Sequence, residues 1–195
     1  MALRAKERNS LALTLLVAAC AAGGPPPPDW QANAFDALQA FQMSYLAGDS
    51  KGAEAEFQRA RTELTATGRA DLVARAELVR CAARIASLVF EPCTEFEALR
   101  PDAGQEELAY AAYLEGRVPR AASGEPFSRL VSYGVQLRSG SISPQNIAAA
   151  VDIASSQGWR RPLLAWLSVQ LKRAQDAGDR ETAARLKRRI ELVSG

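Results

Sequence analysis

Apolar residues recur at steps of three and four along most of this chain, the spacing that places them on one face of a helix. The first stripe starts at Trp30 and runs through Ala34, Leu38, Phe41 and Tyr45 to a stop at Gly48. Asp49 or Ser50 then caps a second helix, whose stripe is Ala53, Phe57, Ala60 and Leu64, ending before Gly68. A third is predicted from about Ala70 to Val89, with Leu72, Val73, Ala76, Val79, Ala83, Ile85, Ala86 and Leu88 spread over an arc wide enough for burial on most sides. Its polar stripe is Glu77, Arg80 and Arg84, the first two spaced to pair across one turn.

Glu91-Pro92-Cys93 breaks that helix, and Thr94 to Leu99 reads as a half-turn ending at Pro101. A fourth helix is predicted over about Gln105 to Glu115, with Leu108, Ala111, Ala112 and Tyr113 inward, and 118–126 is the loosest stretch. The fifth carries Phe127, Leu130, Val131, Val135 and Leu137; Gly134 in its middle costs about 1 kcal/mol relative to alanine and suits a close helix crossing. Ser143-Pro144 opens the sixth as N-cap and first helical residue, with Ile147, Ala150, Val151 and Ala154 on its face and Gly158 beyond its end. Pro162 starts the seventh (Leu163, Leu164, Trp166, Leu167, Leu171, Ala174) and Asp179 caps the eighth (Ala183, Leu186, Ile190, Val193). No stretch alternates with period two, so the fold expected is all-α, built of antiparallel helical hairpins as a repeat or an irregular bundle.

The front of the chain follows a different rule. Basic Arg4, Lys6 and Arg8 precede an apolar run from Leu11 to Ala19, far short of the roughly 20 apolar residues a membrane-crossing helix needs. A positive stub, a short apolar run and small residues at its end make an export signal, which takes no part in the fold. Val17-Ala18-Ala19-Cys20 resembles the lipobox of bacterial lipoproteins, in which the cysteine is acylated and becomes the new N-terminus. That resemblance implies a signal peptide over 1–19, lipidation at Cys20, a tether over 20–29 and a periplasmic helical domain over 30–195. Ordinary signal-peptidase cleavage at Ala19-Cys20-Ala21, which discards Cys20, or retention of the stretch as an uncleaved anchor, are the alternatives. More than one acyl chain gives lasting membrane attachment. Ala21 stands where an aspartate retains enterobacterial lipoproteins in the inner membrane, which implies the outer membrane here. Gly23-Gly24 and Pro25 to Pro28 form a joint and a stiff rod, about 25 Å from Ala21 to Pro28 at ~3.1 Å per residue.

Composition narrows the chemistry. Removing 1–19 leaves basic and acidic residues in equal number, which gives no general affinity for nucleic acid. With Cys20 lipidated, Cys81 and Cys93 remain as an even pair, and export makes a disulfide the expectation; two buried free thiols, or a redox or metal site, are the alternatives. The chain has no histidine, which removes the usual nucleophilic triads, histidine-bound metals and the commonest general base. Glu95 with Glu97, and Glu106 with Glu107, are the densest acidic pairs and read as solvated faces beside turns. Lytic transglycosylases are the nearest enzymatic comparison, but their Glu-Ser dipeptide and glycine-methionine-glutamine motif are missing. No catalytic residue, cofactor, metal or small-molecule substrate is indicated.

Two stretches, Ala47-Gly48-Asp49 and Ala177-Gly178-Asp179, are followed by Ala53, Phe57, Ala60 and by Ala183, Lys187, Ile190 at the same spacing. This resembles the tetratricopeptide repeat, where a Gly-Asp turn joins two antiparallel helices and small residues let them approach. Ala37 stands where tryptophan is usual, Thr65 where the closing proline is usual and Lys187 in a slot for a large apolar residue. Together the resemblances imply an outer-membrane lipoprotein acting as an adaptor or assembly factor for an envelope protein partner; the competing expectation is a peptidoglycan-binding or cell-wall-active lipoprotein. Charge is uneven: 91–125 holds eight acidic side chains against Arg100, Arg117 and Arg120, whereas from Arg160 onward nine basic side chains face Asp176, Asp179, Glu181 and Glu191. These are solvated faces, opposed faces within the fold, or a docking surface for a partner, lipid headgroups or glycan.

Overall fold

The computed structural model describes residues 28–195, so Val17, Ala18, Ala19 and Cys20, with the signal and most of the tether, lie outside the described residues. Within them are nine α-helices and no strand: α1 (Asp29–Ala47), α2 (Ser50–Thr65), α3 (Ala70–Ala86), α4 (Thr94–Leu99), α5 (Gln105–Leu114), α6 (Pro126–Arg138), α7 (Pro144–Ser156), α8 (Arg160–Asp176) and α9 (Arg180–Ser194), with one 3-10 turn at Arg100–Asp102. No described helix is long and apolar enough to cross a membrane. The all-α expectation holds, with one helix added: Thr94–Leu99 is a short helix because Phe96 is driven fully into the core.

The predicted stripes supply the core. On α2, Ala53, Phe57, Ala60 and Leu64 are all buried, and Phe57 meets Phe41 of α1 edge-on with ring centroids 5.2 Å apart. α3 is the hub, buried over most of its circumference and touching α1, α2, α4, α5 and α6. Gly134 is where α6 crosses it: a Cβ there would stand 2.3 Å from the Ile85 carbonyl oxygen, so only glycine permits this approach.

The two Gly-Asp turns are built alike. Gly48 and Gly178 are left-handed, at φ +99° and +70°. The Asp49 N–H donates to the Ser44 carbonyl and the Asp179 N–H to the Ala174 carbonyl, each at 2.9 Å. Both aspartates accept a backbone N–H of the following helix, from Gly52 at 2.8 Å and Thr182 at 3.0 Å. Such closures satisfy carbonyls and N–H groups left free at helix ends. α3 was expected to reach Val89 but stops at Ala86, because Leu88 takes the left-handed position usually filled by glycine, at φ +61°.

The hairpins do not form a simple row. α8 packs on α1, far away in sequence, and two side chains make the joint. Arg161 donates to the Tyr45 carbonyl at 2.6 Å and to Ser50 Oγ at 2.7 Å, with its guanidinium 4.3 Å from the Tyr45 ring centroid. Trp166, wholly buried, donates its indole N–H to the Ala86 carbonyl at 3.1 Å, satisfying the C-terminal end of α3. A repeat array contacts only its neighbours; the α1–α8 contact is an addition to the neighbour-to-neighbour packing of the hairpins.

Candidate binding cleft

A cleft of ≈ 600 Å³ opens between α3, α5 and the exposed segment 117–125. Glu107 builds one wall. It was expected on a solvated face with Glu106, and the structure corrects this: Glu106 is exposed, but Glu107 is only 6% exposed. The reason is Arg75 of α3, whose Nη2 and Nε lie 2.6 and 2.7 Å from Glu107 Oε1. Two charge-assisted hydrogen bonds offset the loss of water around the carboxylate.

Tyr110, one turn beyond Glu107 on α5, forms the aromatic part of the wall. Burial pushes its hydroxyl pKa up to about 12, with neighbouring Tyr113 adding to the rise and Arg120 opposing it; like any tyrosine it is a protonated donor at neutral pH. Arg120 lies over the Tyr110 ring at 5.1 Å from the centroid and makes no ion pair with the described residues. Ser123 and Ser128 close the loop side, the Ser123 N–H donating to Ser128 Oγ at 3.0 Å. The volume lies in the range of ligand sites, with a locked ion pair, an aromatic donor and one free guanidinium.

Of the residues singled out from sequence, Cys81 and Cys93 are joined as a disulfide, Cα atoms 6.0 Å apart, tying the approach to α4 back onto α3. Glu77 is a second correction: it lies on no solvated stripe and does not pair with Arg80. It is 1% exposed between α2 and α3, its nearest cation Arg61 Nε at 3.8 Å. Arg80 instead turns to Glu54, 3.4 Å away, with its guanidinium over the Phe57 ring. Glu97 is exposed as expected, and Arg100 links it to Glu115 at 2.7 and 2.9 Å. No ion pair joins the acidic segment 91–125 to the basic segment 160–195 among the described residues.

Arg75, Tyr110 and Arg120 are the cleft residues that sequence reading missed. The available signal was the line Glu107, Tyr110, Leu114 along one face of α5, a polar, aromatic and apolar series at helical spacing. The chain matches no family model, and neither a curated protein nor a solved structure is significantly similar to it.

Proposed function

We propose that this is an outer-membrane-anchored lipoprotein, acylated at Cys20, whose helical domain is a protein-protein adaptor or assembly factor of the cell envelope. The observation that carries the reading is the cleft beside α5. Arg75 and Glu107 hold one another in place, and Arg120 with Tyr110 presents a cation unpaired among the described residues and a hydrogen-bond donor side by side. Such a wall favours recognition of a partner segment bearing a carboxylate over bond-breaking chemistry. The lipid and the tether would hold this cleft at a set distance from the membrane.

The test places a photo-crosslinking residue at Ala121, exposed on the cleft wall, in the bacterium of origin. The adaptor reading expects one discrete crosslinked envelope protein, lost with Arg120→Glu while the circular dichroism melt is unchanged. Co-sedimentation with purified peptidoglycan, without a protein adduct, would replace it by the cell-wall-binding reading. Mass spectrometry of the mature N-terminus checks the acyl group at Cys20.

A further inference from the structure

A second depression, ≈ 660 Å³, lies between α7, α8 and α9 and is separate from the cleft beside α5. Its floor is apolar, made by Ile147 of α7, Ala174 of α8 and Leu186 of α9, and its rim carries Arg173, Arg185 and Arg189. We propose that this groove docks an acidic amphipathic helix of a protein partner.

Three features select that occupant. The rim cations are weakly committed: Arg173 has no ion pair with the described residues, and Arg189 reaches only Ser155 Oγ at 3.4 Å. Arg185 pairs with Glu181, itself 86% exposed, and donates to Thr182 Oγ1 at 2.9 Å, both solvent-exposed contacts with which a partner's carboxylate can compete. The second feature is spacing. Arg185 and Arg189 stand one turn apart on α9, about 6 Å along its axis, which matches carboxylates four residues apart on a helix lying alongside. The third is shape: Ile147 and Ala174 lie at the bottom, within reach of side chains projecting from an inserted rod but not of a flat layer of lipid headgroups.

The test uses the full chain in detergent and a synthetic helix with glutamates four residues apart beside a leucine stripe, followed by fluorescence anisotropy. Binding is expected to weaken about tenfold with Arg185→Glu/Arg189→Glu, to return when the peptide's glutamates become lysines, and to fall with added salt. A separate Leu186→Asp variant should weaken both peptides. Both variants are checked by their thermal melts. The proposal is overturned if the acidic peptide does not bind or binds the charge-reversed variant equally. It is also overturned if the rim arginines instead drive binding to phosphatidylglycerol vesicles, or salt-sensitive self-association, in the absence of peptide binding.

Discussion

The carboxylate of Glu77 lies between α2 and α3 with one oxygen lacking a hydrogen bond. Burial raises its ionisation above the ordinary carboxylate range, against the pull of Arg80, Arg61 and Arg84 and with the push of Glu95. In the unfolded chain the same group ionises near its usual value of about 4.3. The folded state therefore holds a proton that the unfolded state gives up, and Glu77 destabilises the fold once pH exceeds the unfolded value. The penalty reaches its full size above the raised folded value and disappears as pH falls back through that window. Glu77→Gln, which keeps the shape without the charge, is expected to stabilise the protein at neutral pH. Thermal melts from neutral pH down to about pH 4 should show the advantage shrinking toward zero.

Between elements, the tightest constraint is the crossing of α6 over α3. Alanine in place of Gly134 would gain about 1 kcal/mol of helix propensity in an exposed helix. Here its Cβ meets backbone, the Ile85 carbonyl oxygen at 2.3 Å, which cannot rotate aside. Gly134→Ala is therefore expected to lose about 1–3 kcal/mol in urea denaturation, the range of overpacked cores. This crossing was legible because a glycine inside a strongly apolar helical stripe has few other uses. The stripes of α2 and α7, the Ser143 and Asp179 caps and the glycine stops were legible for the same local reasons. The end of α3 was not, because Leu88 carries no residue-type signal for a left-handed turn. Nor was Glu107, whose burial depends on an arginine 32 positions away, or Glu77, whose surroundings come from a different helix. Periodicity reports which face is apolar; it does not report which charged residue a neighbouring helix will cover.

For the molecule as a whole, the joint between α8 and the α1–α2 turn decides whether the hairpins behave as one body. Arg161 makes two short hydrogen bonds there and stacks on Tyr45, so Arg161→Ala is expected to cost about 1–3 kcal/mol, the range for charged hydrogen bonds. The distribution of the effect is as informative as its size. Hydrogen exchange should quicken in α1 and α2, which lose their brace, more than in α5 and α6, which pack on α3 elsewhere. Met43 and Phe35, both large and exposed on α1, are 67% and 61% open to solvent. Freeing α1 from α8 would add to this apolar exposure, so the variant should also be more prone to aggregate.

The Trp166 indole sets a timetable for the nascent chain. Its partner carbonyl at Ala86 is 80 residues upstream, and Arg161 reaches back 116 residues to Tyr45. Until α8 has been delivered, the hub helix lacks a wall and the first hairpin lacks its brace. The native packing of the first hairpin and the hub helix therefore cannot close before α8 is in place, so their apolar surface waits on a late-arriving tryptophan.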